Sequence, residues 1–561
     1  MKSFRKYFLS FFILFSQSTL FAQIENVQLN HPVYTFLKEM YVKGVVDYIK
    51  EDDPVISRFE IINLLKEIKS RSSQLSETET KFADKYLSEF SDELNSENTT
   101  QLFNPDENFF SELPEMFSQK IKYLYGYKNN DANIYLEWLG HFYHGQRFSP
   151  VPTNNANLYD IGFRMRGTVF NKLGYNLTVI KGGVSGNHKI AERIEPKLLS
   201  NFKWVEAIEN IGNYGFNYGY LKYLTSPTDG MDLSVQLGRE DITFGYGYGS
   251  KLILSGDNPT LDFIKFNFDY GVIHFTSLHA STVGNFSTDI NQRYTKYFAL
   301  NRLKLSFKNL FDFGIGETMI YSGRGIELGY LSPLAFYKFI EMDLQDRDNG
   351  TLWMDFQTNF LKNIQFQATF FLDENILSNL QDLDRYTNKT AYQLNAFWYS
   401  PFNIDDVSLI LEYTKIRPFV YTHRNPQNTY TAFGTTLGHR IGPNSDEIML
   451  RANYNLNERL RLTSEYRFSR SGKNIYDENG NLIKNVGGDI FLSHPEILEN
   501  TTTKFLDGER INTSHLILGF RIEPIRDFYF DVWYNYIVNK NITKSITENL
   551  SYLLIKFTLE Y

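Results

Sequence analysis

Residues 363–373 read NIQFQATFFLD, with Ile364, Phe366, Ala368, Phe370 and Leu372 apolar and Gln365, Gln367, Thr369 and Asp373 polar. A period of two is what an extended strand requires when its two faces meet different surroundings. The chain repeats the pattern to its last residue. In HLILGFRIEP, Leu516, Leu518, Phe520 and Ile522 alternate with Gly519, Arg521 and Glu523. In DFYFDVWYNY, Phe528, Phe530, Val532, Tyr534 and Tyr536 oppose Asp531 and Asn535. Between 447 and 469, Leu450, Ala452, Tyr454, Leu462 and Phe468 stand against Arg451, Arg461, Glu465 and Arg467. Unpaired charges are expensive in a protein core, so the charged face is expected to be wet or mutually paired. The ring-bearing face suits lipid, provided that the sheet closes and leaves no edge amides unsatisfied.

Composition agrees with this reading. The chain carries 48 Phe and 38 Tyr among 561 residues, yet its mean hydropathy is only −0.36, so the rings must be interleaved closely with polar groups. A net charge of −8 without a basic stripe argues against a nucleic-acid partner. The absence of cysteine excludes a disulfide framework, a thiolate metal site and a lipidated N-terminal Cys. At the N-terminus, Lys2, Arg5 and Lys6 precede an apolar run over 7–15, and Ala22 precedes Gln23. We read 1–22 as a secretory signal peptide, although Leu20 is larger than the residue preferred there. No later stretch approaches the ~20 apolar residues of a membrane helix.

The period is helical from 31 to about 96. Val33, Leu37, Met40 and Tyr41 share a face that Gly44 ends, Ser57 with Glu60 and Ser76 with Glu79 read as capping boxes, and Phe82, Tyr86, Phe90 and Leu94 form a stripe. Residues 23–118 are thus expected to form an N-terminal α-helical bundle, and 119–561 the sheet. Strands are predicted near 132–142, 158–169, 172–182, 213–223, 231–240, 261–270, 272–281, 297–307, 311–322, 351–360, 363–373, 390–399, 406–415, 447–456, 458–469, 514–523, 526–537 and 550–561. Their lengths match the ~9–11 residues of a tilted membrane-crossing strand. Connections are read as alternating strictly between short ones, such as NLNER (455–459), and long ones, such as 323–350 and 470–513. That asymmetry belongs to transmembrane barrels with tight periplasmic turns and long outer loops. The expectation is an all-β transmembrane barrel of about 18 antiparallel strands with the bundle at its periplasmic end. KIKYLYGYK (120–128) would make the strand count odd, so it is set aside as a periplasmic segment. The ending LLIKFTLEY, closing on Tyr561, resembles the signal by which barrel insertion machinery recognises such proteins.

Three outer loops carry unusual residues: GREDITFGYGYGSKLILSGDNP (238–259), GRGIELGYLSPLAFYKFIE (323–341) and LGHRIGPNSDE (437–447). With the HPVYTFL helix and the SRFE helix start, in this order, they resemble the Wzi-type capsule assembly family over nearly the whole mature chain. The resemblance implies an integral barrel of the outer membrane that acts as a surface lectin, holding capsular or extracellular polysaccharide. The residues make independent sense of a sugar ligand. Aromatic faces accept the CH groups of a sugar ring, while Arg and Glu offer planar partners to hydroxyls or uronic carboxylates. The candidates are Arg239, Tyr246, Tyr248, Arg324, Glu327, Tyr330 and Tyr337, with Arg440 and Asn444 from the third loop.

Each has a purely structural alternative. Gly245, Gly247 and Gly249 would also let a loop turn back into the lumen, where the tyrosines plug it. Arg239 and Glu240 would also fit a lumenal charge lattice, and LSPLAF a turn with one apolar helical turn. Catalysis finds little support. GGVSG (182–186) lacks the spacing of a nucleophile elbow, the histidines show no H-E-x-x-H, and GYGYG lacks the Lys and helix of a phosphate loop. DENGN (477–481) resembles part of a calcium loop but reads better as a hairpin tip. His274 and His279 read as interior wall. We expect no enzyme, cofactor or metal, and a monomer in outer-membrane lipid. The rival readings are a porin or transport channel, a membrane enzyme such as a lipase, and a structural part of a surface secretion or motility machine.

Overall fold

In the computed structural model, which describes residues 23–561 apart from 92–93, 95–96, 104–112, 202–203, 205–211, 288, 374–383 and 495–501, the alternation becomes two faces of one wall. The segment read as a signal peptide lies outside the described residues. In the strand Ile364–Asp373, Phe366 and Phe370 are 48 % and 37 % exposed on the outer surface, whereas Gln365, Gln367, Thr369 and Asp373 are buried inside. Eighteen long strands form this wall. They are β1 (Asn133–Ser149), β2 (Asn154–Val169), β3 (Leu173–Gly186), β4 (Asn213–Thr228), β5 (Met231–Glu240) and β6 (Leu261–Tyr270). Next come β7 (Ile273–Val283), β8 (Thr295–Phe307), β9 (Phe311–Ser322), β10 (Asn349–Thr358), β11 (Ile364–Asp373) and β12 (Lys389–Tyr399). The last are β13 (Val407–Ile416), β14 (Ser445–Asn457), β15 (Leu460–Lys473), β16 (Glu509–Ile525), β17 (Phe528–Asn541) and β18 (Ile546–Glu560). Each pairs antiparallel with the next, and β18 pairs with β1 to close the barrel.

The short segment 120–128 does form strand, but not a crossing one. Ile121–Tyr123 runs parallel to Thr99–Gln101, and Tyr125–Lys128 pairs antiparallel with the start of β1, Tyr125 opposite Leu136. It occupies the place beside β1 beyond the chain's end, where the Tyr561 amide donates to the Trp138 carbonyl at 2.7 Å. The alternation of connections is also not strict. The outer connections 150–153 and 542–545, which flank the closing seam, are short.

Local chemistry explains the helical entry. α1 (Val33–Lys43) stops at Gly44, whose φ of 81° is the left-handed C-cap that glycine adopts without cost. α2 (Arg58–Ser70) opens on the Ser57–Glu60 capping box. α3 (Glu77–Ser91) opens likewise, with the Glu79 amide donating to Ser76 Oγ at 3.1 Å and the Ser76 amide to Glu79 Oε2 at 2.6 Å. The helices bury Val33, Leu37, Met40, Leu65, Tyr86 and Phe90 against Phe397, Tyr399, Ile410 and Met449 of the inner wall. They therefore enter the periplasmic mouth as a plug.

Ion pairs lock that plug to the wall. Asp52 lies between Arg302 and Lys304, and Arg302 also donates to Asp355 at 2.6 Å. Lys265 pairs with Asp53 at 2.5 Å, Arg166 with Glu25 at 3.1 Å and Arg461 with Glu39 at 3.3 Å. Burial alone would raise the Asp52 carboxyl, but the charges of Arg302 and Lys304 outweigh it and hold the group well below the usual carboxylate range. A depressed value means that this attachment is fully present above the ordinary carboxylate pKa and is lost only as pH falls through the lower, folded value.

The inner face is not wet throughout. Towards the outer end of β6–β12 it carries Leu261, Phe263, Leu278, Phe298, Leu300, Trp353 and Phe371, which pack with Phe244, Leu252, Leu254, Val420, Tyr421, Tyr430 and Leu437 of two inward-folded loops. This sector of the lumen is a second hydrophobic core. Removing the Asp52 charge while keeping its shape leaves Lys304 without its counter-ion in a buried site. Asp52→Asn is expected to weaken plug docking by about 3 kcal/mol. Hydrogen exchange should speed up in α1 and α2 and stay unchanged in β6–β12.

Candidate functional site

The first loop descends into the lumen. Gly245 and Gly247, at φ 100° and 143°, provide the backbone turn, and the Gly245 amide donates to the Asp52 carbonyl at 2.8 Å. Tyr246 is buried, with its hydroxyl 3.4 Å from Asp312 Oδ2. The amides of Tyr248 and Gly249 donate to Glu412 Oε2 at 2.9 and 3.2 Å, and the Tyr248 hydroxyl to Gln365 Oε1 at 3.0 Å. The Lys38 ammonium of α1 lies 4.8 Å from the Tyr248 ring. Tyr246 thus ties the loop to the wall, and Tyr248 ties it to both wall and plug, as in the packing alternative. Arg239 goes elsewhere. Its guanidinium grips Asp262 at 2.6 and 3.0 Å on the outside of the wall, with both side chains about half exposed. Glu240 points inward and accepts from Gln236 at 2.8 Å, so the two do not share a lumenal lattice.

The second loop folds over the outside of the barrel. It brings Arg324, Glu327, Tyr330 and Tyr337 together, but in one another's bonds. Arg324 donates to Asp348 at 2.8 Å, approaches Glu327 at 3.5 Å and stacks 4.7 Å from the Tyr321 ring. The Tyr330 hydroxyl donates to Asp348 at 2.8 Å and that of Tyr337 to the Tyr330 carbonyl at 3.0 Å. Tyr321, Met319 and Ala299 beneath them are outward-facing wall residues. His279 is outward-facing too, 2.8 Å from the Tyr321 hydroxyl, whereas His274 faces inward and bonds Asp269 at 2.6 Å. Residue parity along β7 separates the two histidines, so only His274 belongs to the interior wall.

The third loop returns to the lumen. Arg440 pairs with Glu447, and its amide donates to Ser250 Oγ of the first loop at 3.1 Å. Asn444, at φ 53°, donates to the carbonyls of Gly472 and Asp507 at 2.9 and 3.2 Å and accepts from the Leu506 amide at 2.7 Å. It is a clamp between segments. The nine residues therefore do not converge on one surface.

A different constellation does converge. A cavity of about 720 Å³ lies between the plug and the inner wall of β13–β18. Trp533 of β17 sits opposite Gly519 of β16, and a Cβ on Gly519 would come within 2.1 Å of the indole. The missing side chain lets the indole lie flat on the sheet with its other face to the lumen. Around it stand Arg461, Arg467, Asn535 and the Arg451–Glu465 pair at 2.5 Å. Lys38, which lines the same cavity, is pushed down to about 8 by burial, against the pull of Glu51. Of the outer connections over this sector, 542–545 is only four residues long. Across the seam, Tyr214, Phe216 and Tyr218 of β4 form a ladder with centroids 5.5 and 6.4 Å apart, beside Lys197, in a cavity of about 350 Å³. Flat apolar faces next to amide and guanidinium donors are what a pyranose ring with equatorial hydroxyls requires.

A sequence model of the family described as capsule assembly protein Wzi matches residues 154–522. Among solved structures, the chain is similar to Wzi of Escherichia coli, described as an outer membrane protein involved in group 1 capsule assembly and a carbohydrate-binding β-barrel. Identity is 11 %, the match covers 95 % of this chain and 98 % of that one, and the TM-score is 0.55. Pseudomonas aeruginosa OprD matches at 11 % identity over 76 % of this chain and 95 % of that one, with a TM-score of 0.40. Acinetobacter baumannii OccAB2 matches at 12 % over 77 % and 98 %, with a TM-score of 0.44. At these identities the likeness is one of fold. No curated protein sequence matches.

The seat of Trp533 is testable without a ligand. Gly519→Val should tilt the indole off the sheet, changing the near-ultraviolet dichroism of the tryptophans while leaving the far-ultraviolet strand signal intact. An unchanged aromatic spectrum would show that Gly519 does not set the ring's pose.

Proposed function

The chain belongs to the Wzi capsule assembly family and is an integral outer-membrane barrel, and on that premise we propose that it binds or anchors capsular or extracellular polysaccharide at the cell surface. The observation that carries this reading is a lumen with the helical plug docked in its periplasmic mouth and loops 241–260 and 417–444 folded into it. The space that is left is lined by Trp533, Asn535 and arginines. The indole face takes the CH side of a sugar ring, and the guanidinium groups take hydroxyls or uronic carboxylates. We place the polymer against the inner wall of β14–β18, with the Tyr214–Phe216–Tyr218 ladder as a second contact surface. The outer candidates Arg324, Glu327, Tyr330 and Tyr337 act in this scheme as the framework of their own loop. The protein works without catalysis, as a monomer, and its terminal strand ending at Tyr561 is the part that insertion machinery recognises.

A transport channel is the competing reading, and the plug argues against it. Purified protein in planar bilayers is expected to carry no steady current; a large stable conductance would favour transport. Trp533→Ala and Arg467→Ala should each weaken binding of the cell's own polysaccharide about fivefold, since each removes an interaction of order 1 kcal/mol. Tyr246→Phe should leave binding unchanged. Deleting the gene should move polysaccharide from the cell-associated to the shed fraction. Unchanged amounts of both would defeat the proposal.

A further inference from the structure

The outer wall of a membrane barrel faces hydrocarbon, where polar groups are costly. In the upper half of β7–β9 this rule is broken. Ser277, His279, Asn301 and Glu317 share the outward parity of Leu303 and Ile315, which are 42 % and 38 % exposed just below them. The polar groups are nevertheless covered. Loop 323–348 folds back down the outside and supplies partners to them: Asn301 donates to the Ala335 carbonyl at 3.1 Å, and Glu317 accepts from the Tyr337 amide at 2.9 Å. Glu317 lies five residues below the end of β9, so the loop descends roughly 15 Å along the strand.

What the loop turns outward is apolar. Around the short helix α4 (Tyr337–Asp343), Leu334 is 90 % exposed, Phe336 72 %, Phe339 69 % and Met342 62 %, with Leu328 at 76 % nearby. Tyr330 and Tyr337 face the wall and are fully buried. A large exposed apolar face calls for an apolar partner. Here it continues the lipid-facing belt of Leu303, Ile315, Leu352 and Met354 on the same side of the barrel. We propose that loop 323–348 is a lipid-embedded tongue: it seals a polar window in the wall and inserts Leu334, Phe336, Phe339 and Met342 among the acyl chains of the outer leaflet. The nearby charges are paired, Lys338 with Glu341 at 2.6 Å and Arg324 with Asp348 at 2.5 Å.

The chain has no cysteine, so single thiols can be introduced cleanly. Phe339→Cys, Phe336→Cys and, as a water-facing control on loop 284–294, Ile290→Cys would be labelled with an environment-sensitive fluorophore. The full barrel would then be reconstituted in dioleoyl phosphatidylcholine vesicles with or without dibrominated chains. The expected result is blue-shifted emission that brominated chains quench at 336 and 339 but not at 290, with thiol labelling by a membrane-impermeant maleimide at least about tenfold slower at 339 than at 290. Emission and labelling at both positions matching the control would place the loop in water and overturn the proposal. Protection from maleimide without quenching, accompanied by disulfide-linked dimers, would give the surface to a second copy and overturn it equally. Either cysteine position reads the result if the other variant does not fold.

Discussion

The carboxylate of Asp52 held between Arg302 and Lys304, and the companion pairs of Asp53, Glu25 and Glu39 with the wall, are what the rest of the interior rests on. Pairs of this kind add little net stability, because burying the charges costs nearly what their attraction returns, but separating them is expensive. Their effect is to fix position. With the helices fixed in the periplasmic mouth, the first loop has something to land on, and the Gly245 amide finds the Asp52 carbonyl. With that loop in place, the third has a partner in Ser250 and in the apolar residues of the second core. The order is one of dependence: wall charges hold the plug, the plug supports the first loop, and that loop supports the third.

Much of the barrel was legible because its wall separates two solvents. Every strand from 132–142 to 550–561 overlaps an observed one, and the glycine stop and both capping boxes lie where the local chemistry puts them. The upper lumen was not legible in the same way. Phe263, Leu300, Trp353 and Phe371 add apolar residues to inner faces, and an inner face turns apolar only if something folds back against it. Whether a loop does so depends on contacts such as Tyr248 with Gln365, more than a hundred residues apart, which no local period records.

The site residues were less legible, for two different reasons. Asn444 bonds segments that are remote in sequence, so its role as a clamp could not be read from its neighbours. Arg239 and Trp533 were readable. Counting by twos from Val235 and Leu237 carries Arg239 to the outer face, and counting from Asp531 to Asn535 carries Trp533 inward. A large ring on the polar face of one strand, facing a glycine on the next, is the readable signal of the binding surface proposed above. Motif position drew attention to the loops, while residue parity pointed into the barrel.

The plug also decides what kind of traffic the vestibule above it can hold. A cylinder open at both ends threads a polymer, and the polymer can then slide through it in register after register. One that is stoppered at the bottom is a blind alley. A long glycan can offer it only a loose end or a short bight, and whatever enters must back out by the way it came. On the function proposed above, retention would then depend on how many barrels hold one strand at once, each gripping a few sugars.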